Sequence, residues 1–225
     1  MRPFLYEPAM SDHYLSTRTL PTVFQRFALR TLALFGWRVN FAPLPGPRGV
    51  VIVYPHTSNW DFPIGLLAKW AMGVPFRWLG KESLFSGICG ATLGPFFRAW
   101  GGEPIARGAS TGAINRLAQR IHSENFFWLV LAPEGTRKYR DSWRSGFYHI
   151  ALTAGVPLGM ATIDYGKKEV RMVDYAIMTG DAATDVACIR EAYNNCRGLK
   201  PDSAAPIVFS TEQRDAGSAQ ASKRA

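Results

Sequence analysis

Two short apolar runs constrain this chain more than any other feature. Residues 50–54, VVIVY, and residues 126–131, FFWLVL, are unbroken in apolar character and rich in β-branched or aromatic side chains. A run of that length without polar alternation reads as a strand covered on both faces, as in mainly parallel sheets with helices on either side. Each run stops abruptly, the first at PHTSNWD and the second at APEGTR. In open α/β sheets ligands sit beyond the carboxyl ends of the strands. Both clusters are therefore expected on one edge of the sheet, where His56, Asp61, Glu134 and Arg137 would share a cleft.

The remaining chain alternates strands and helices. A helix is expected over Pro63–Met72, with the proline suited to its first turn and Asp61 or Phe62 near its cap. Residues 74–80 read as a short strand, 83–101 as helix interrupted by glycines, and Thr111–His122 as a helix. A helix over 145–154 stopped by Gly155, strands over 156–165 and 169–178 joined by a turn at Gly166–Lys168, and a helix over Ala182–Cys196 follow. The expected fold class is α/β, a single-domain, mainly parallel mixed sheet flanked by helices, with an N-terminal amphipathic helix. Residues 1–42 form the N-terminal segment in this reading, 43–209 the domain, and 210–225 a polar, aperiodic, disordered tail. The Pro/Gly-rich APLPGPRG at 42–49 separates the first two.

Composition narrows the function. A chain of 225 residues is long enough for one well-buried core. Cys89, Cys188 and Cys196 are odd in number and lack ligand spacing. Neither a disulfide framework nor structural zinc is expected, and a reducing, intracellular setting is. The formal net charge is +9, and all of the excess lies in the first 150 residues. A basic front half suits phosphate-bearing partners, whether nucleic acid, anionic membrane or a phosphorylated small molecule, and reads equally as solubility charge. The opening residues lack the apolar core of a signal peptide, and no run reaches the ~20 apolar residues of a membrane span. Residues 23–41, VFQRFALRTLALFGWRVNF, set three arginines among large apolar side chains. They read as a basic helix lying on a membrane surface, or as a helix packed on its own domain.

His56-x4-Asp61 is weak as spacing alone and gains weight from its context, whereas Pro133 to Arg137 is the sharper motif. A carboxylate can accept the Nδ1–H of an imidazole, fix its tautomer, leave Nε2 free to take a proton, and stabilise the imidazolium that results. The plain alternative is a histidine that only ends a strand. In Pro133-Glu134-Gly135-Thr136-Arg137, glycine lets backbone approach a ligand and Arg137 offers a planar fork for phosphate; the plain alternative is a surface turn with an ion pair. Arg107, in GGEPIARG, is a second phosphate ligand or an ordinary solvated arginine. Lys81 follows a strand and would place a cation near the same edge. Lys138, Arg140 and Arg144 extend the basic rim. Motifs for serine hydrolysis, zinc peptidases, dinucleotides and P-loop phosphates are missing, and no nucleic-acid-binding module accompanies the charge.

In order, His56-x4-Asp61, Gly101 to Arg107, Pro133 to Arg137 and Val156-Pro157 resemble the four blocks of the glycerolipid acyltransferase family. Its best-known members are the lysophosphatidic acid (1-acylglycerol-3-phosphate) acyltransferases. The resemblance covers roughly residues 50–165 and implies the glycerol-3-phosphate acyltransferase-like fold. It implies His56 as general base and Asp61 as its partner. A hydroxyl of a lysolipid acceptor would attack an acyl-CoA or acyl carrier protein thioester with no covalent acyl-enzyme, no metal and no further cofactor. By the same resemblance Arg107 and Arg137 bind the acceptor's phosphate, Glu134 and Gly135 help bind its glycerol part, Thr136 is a substrate-binding residue of the same block, and Lys81 stabilises the thioester oxyanion. Val156 and Pro157 help shape the acyl site. The second block departs from the family in Glu103, Pro104 and Ala106, which leaves the acceptor open between lysophosphatidic acid and a related lysolipid. A peripheral position on the cytoplasmic face of a membrane is implied, without nucleic acid. A lipid- or acyl-carrier-binding protein of the same fold, with reduced catalysis, is the alternative.

Overall fold

The computed structural model describes residues 22–105 and 111–210. Seven strands form one sheet: β1 (Arg38–Asn40), β2 (Arg48–Val53), β3 (Arg77–Lys81), β4 (Gly102–Ile105), β5 (Phe127–Leu131), β6 (Leu158–Asp164) and β7 (Glu169–Ala176). Their order is β1-β7-β6-β2-β5-β3-β4. Every pairing is parallel except β6 with β7, a hairpin. The helices are α1 (Val23–Leu34), α2 (Asp61–Met72), α3 (Gly87–Thr92), α4 (Gly94–Ala99), α5 (Thr111–Ser123), α6 (Gly146–Ala154) and α7 (Ala182–Ala192).

The two apolar runs are the centre of this sheet. β2 and β5 lie side by side, with Val50 opposite Leu129 and Ile52 opposite Leu131. Because side chains alternate across a strand, Val50 and Ile52 enter a core with Phe127, Leu129, Leu158 and Met160, closed by α5, α6 and α7. Val51 joins the opposite core with Trp128 and Ala161. That face is covered by Leu32 of α1 and Ala68 of α2. Burial on both faces explains why neither run alternates in polarity. Gly49 is required for a steric reason: a Cβ there would lie 2.3 Å from the ring of Trp128, its cross-strand neighbour.

Two elements depart from the sequence reading. The helix expected within 23–41 ends at Leu34, and Arg38–Asn40 becomes β1, paired with β7 at the sheet edge. The expected boundary at 42 therefore leaves one strand of the sheet on its N-terminal side. α1 is fastened at its start by a capping box between Thr22 and Gln25. The glycine-interrupted stretch resolves into a short 3₁₀ turn, α3, α4 and then β4, a strand the sequence reading does not contain. Residues 211–225, most of the expected tail, lie outside the described residues.

Candidate active site

The carboxyl ends of β6, β2, β5 and β3 lie next to one another along one rim. They carry in turn Tyr165, the His56–Asp61 loop, the Glu134–Arg137 turn and Lys81. The sequence reading placed the histidine and the PEGTR cluster on one edge, and the sheet does so through adjacent strands.

Beyond Val53 the chain runs through Tyr54 and Pro55 to His56, then folds back so that Asp61 opens α2. Asp61 has its side chain only 1 % exposed. One of its oxygens, Oδ2, accepts from His56 Nδ1 at 3.0 Å and from the amides of Thr57 and Ser58 at 2.9 Å each. The other, Oδ1, accepts from the Tyr165 hydroxyl at 2.7 Å. Burial would raise the pKa of this carboxyl, but hydrogen bonds from His56, the Ser58 amide and Tyr165 outweigh it and hold the group below its usual value. The imidazole, 21 % exposed, therefore faces a fixed anion. With Nδ1 donating, Nε2 carries the lone pair, and it has no hydrogen-bond partner among the described residues. A ring held this way can take a proton from a bound hydroxyl.

Glu134 occupies a place the sequence did not suggest. It is 1 % exposed. Oε2 accepts from the His56 amide at 2.5 Å, and Oε1 accepts from the Ala205 amide at 3.0 Å. Burial pushes its pKa up to about 7 against the lowering effect of the two backbone bonds. Both of its carboxylate oxygens are engaged by backbone amides, and Glu134 thus ties the His56 backbone to the segment at Ala205.

The rest of the turn reaches the surface. Gly135 has φ +64°, and a Cβ there would meet Cδ and Nε of Arg144 at 3.1 Å, so the arginine stem lies across the glycine. Thr136 Oγ1 accepts from the Lys138 amide at 3.3 Å and shapes the turn. Arg137 and Lys138 are exposed, as is Lys81 at the end of β3. None of the three has an acidic partner among the described residues. By contrast Glu103, which departs from the family's second block, is used structurally, pairing with Arg77 at 3.3 Å and Arg120 at 2.7 Å. Arg107 lies outside the described residues.

A late segment of the chain closes the site from behind. Tyr193 donates to Ile52 O at 2.7 Å, the Lys200 amide to Thr57 Oγ1 at 3.2 Å, and Tyr54 to Ala205 O at 3.0 Å. No sequence motif marked these residues or Tyr165, because their roles arise from backbone geometry and long-range pairing. Among the described residues no group of three or more His, Cys, Asp or Glu side chains is placed to hold a metal ion.

The rim of the sheet thus carries an imidazole–carboxylate pair, and along it Lys81 and Arg137 have no acidic partner among the described residues; such a pair is suited to general-base chemistry. Residues 39–163 match the acyltransferase family, and the chain belongs to it as an O-acyltransferase. It is also similar to a solved structure, the 1-acyl-sn-glycerophosphate (LPA) acyltransferase PlsC from Thermotoga maritima. The two are 15 % identical over 79 % of this chain and 80 % of that one, with a TM-score of 0.49. No curated protein matches the chain.

Proposed function

We propose that this acyltransferase moves a fatty acyl group from an acyl-CoA or acyl carrier protein thioester to a hydroxyl of a lysophospholipid-type acceptor, 1-acylglycerol-3-phosphate or a close relative. The observation that carries the reading is the 3.0 Å contact between His56 Nδ1 and buried Asp61, on the same rim as Arg137 and Lys81, which have no acidic partner among the described residues. His56 Nε2 takes the acceptor's proton as its oxygen attacks the thioester carbonyl. The tetrahedral oxyanion then collapses, the thiolate leaves, and the imidazolium returns the proton to give free thiol and ester. Lys81 stabilises the oxyanion, while Arg137, with Arg107, holds the acceptor's phosphate as a planar fork. Holding hydroxyl and thioester together supplies on the order of 7–11 kcal/mol of the barrier reduction. The thioester is itself the activated donor, so the reaction needs no cofactor.

The substrates of this reading are lipids, and the proposed working place is the cytoplasmic face of a membrane. Support comes from α1, where Phe27 is 56 % and Leu34 81 % exposed, near the exposed Arg26 and Arg30. No helix among the described residues is long and apolar enough to cross a bilayer.

The test is thiol release by the purified protein with acyl-CoA or acyl carrier protein donors and a panel of lysolipids. Release is expected with a phosphorylated acceptor and is expected to vanish in His56→Ala. Substantial turnover by that variant would refute the base assignment.

A further inference from the structure

Of the four hydrogen bonds that hold Asp61, three come from its own loop: the His56 ring and the Thr57 and Ser58 amides, all on Oδ2. The fourth comes from Tyr165, just past the end of β6, and is the bond recorded on Oδ1. Tyr165 is itself fixed at two points. Its amide donates to Arg197 O at 2.9 Å. Its ring meets Trp37 edge-on, with centroids 5.0 Å apart and planes at 89°. Trp37 is buried behind α1. Both Tyr165 and Trp37 fall outside the 39–163 stretch that matches the family.

We propose that Tyr165 is a positioning residue for the His56–Asp61 pair, its hydroxyl fixing the orientation of the Asp61 carboxylate and tempering the negative charge that His56 meets. This rests on His56 being the base. A carboxylate that shares its charge with a second donor holds the imidazolium less tightly, so the pair gives up its proton at lower pH. The groups facing Asp61 are His56 from its own loop, Tyr165 just past β6 and, through space, the Glu134 carboxylate. Glu134, on the turn after β5, accepts from the His56 amide and does not touch Tyr165. Burial and the neighbouring Asp61 hold the Tyr165 hydroxyl protonated far above the ordinary tyrosine range, so it remains a donor across any practical assay.

Tyr165→Phe keeps the ring against Trp37 and deletes the donor. In the thiol-release assay, with acyl-CoA and 1-acylglycerol-3-phosphate, kcat/KM at neutral pH should fall about tenfold, as for loss of a hydrogen bond to a charged group. The acid limb of the kcat/KM profile should move to higher pH by about half to one unit. A hydroxyl that only stabilises the fold would lower the melting temperature and leave that limb in place. Should the phenylalanine variant fold poorly, 3-fluorotyrosine at position 165 supplies the complementary test. Its more acidic hydroxyl donates more strongly and should move the limb to lower pH. Superimposable limbs for the natural protein and the well-folded substituted form overturn the proposal. Inactive His56→Ala together with an unmoved limb sinks only the Tyr165 role, whereas active His56→Ala sinks the base assignment beneath it.

Discussion

Asp61 and Glu134 are two buried carboxylates at one site with opposite shifts, and the difference lies in what each accepts. Asp61 gathers a ring donor, two amides and a phenol, so its anion is stabilised despite burial. Asp61→Asn keeps the shape, and its amide oxygen can still accept from His56 and the loop amides. The charge is lost, and the amide NH2 that replaces Oδ1 can no longer accept from the Tyr165 hydroxyl, so kcat should fall by about 10²–10⁴ while thermal stability drops by about 1–3 kcal/mol, measured by thiol release and calorimetry. Glu134 has two backbone donors and a larger burial cost, which leaves it at about 7. Its folded value is raised above the ordinary 4.5, so the native state binds the extra proton. The stabilisation from this group is full below pH 4.5 and is lost as pH rises through about 7, with a ceiling on the order of 3 kcal/mol. Urea unfolding between pH 5 and 8 should show that decline, and Glu134→Gln should flatten it. The same variant should cost about 1–3 kcal/mol, because an amide nitrogen would face a backbone N–H of His56 or Ala205. Of these residues the sequence made His56 and Asp61 legible, not by their spacing alone but by their place at the end of a buried strand, on the same edge as a second motif. Glu134 sat inside a recognisable motif, yet whether a motif carboxylate faces solvent or the backbone of a distant loop depends on tertiary pairing.

At the scale of elements, legibility followed burial. β2 and β5 are covered on both faces, and their unbroken apolar runs declared them. β1 and β4 are the edge strands, only a few residues long, so Arg38–Asn40 looked like the end of a helix and Gly102–Ile105 declared no element. Two glycines in neighbouring strands and turns now have a stated reason. Gly49→Ala would drive a Cβ into the Trp128 ring at the middle of the sheet, with neither neighbouring strand free to move. A cost of about 1–3 kcal/mol is expected from overpacking, read as a lowered urea midpoint with unchanged slope. Gly135→Ala instead meets a positive φ and the stem of Arg144. It should cost about 1–2 kcal/mol and, by displacing the turn that carries Arg137, raise KM for a phosphorylated acceptor more than it lowers kcat. An unchanged KM would separate the turn from acceptor binding.

The molecule as a whole carries α1 on the side of the sheet that α2 also covers, and α1 exposes large apolar side chains next to arginines. If this face rests on lipid, each buried phenylalanine or leucine contributes about 1.5–3 kcal/mol and each arginine near an anionic surface about 1 kcal/mol. The double variant Phe27→Ser/Leu34→Ser should therefore cosediment with anionic vesicles at least tenfold less than the natural protein, with its fold intact because both side chains already face outward. Binding that is equal for both would move the membrane contact elsewhere. The segment carrying Lys200 and Ala205 has a consequence of its own. Chains are made from the N-terminus at ~5–20 residues per second and fold as they emerge, so the histidine loop is synthesised well before two of the clasps that steady it, the amides of Lys200 and Ala205. A ribosome-bound intermediate lacking that stretch would possess every group needed for chemistry and no rigid frame to aim them. Competence to react should then switch on only after that later segment has emerged, once the rear of the histidine turn has been latched.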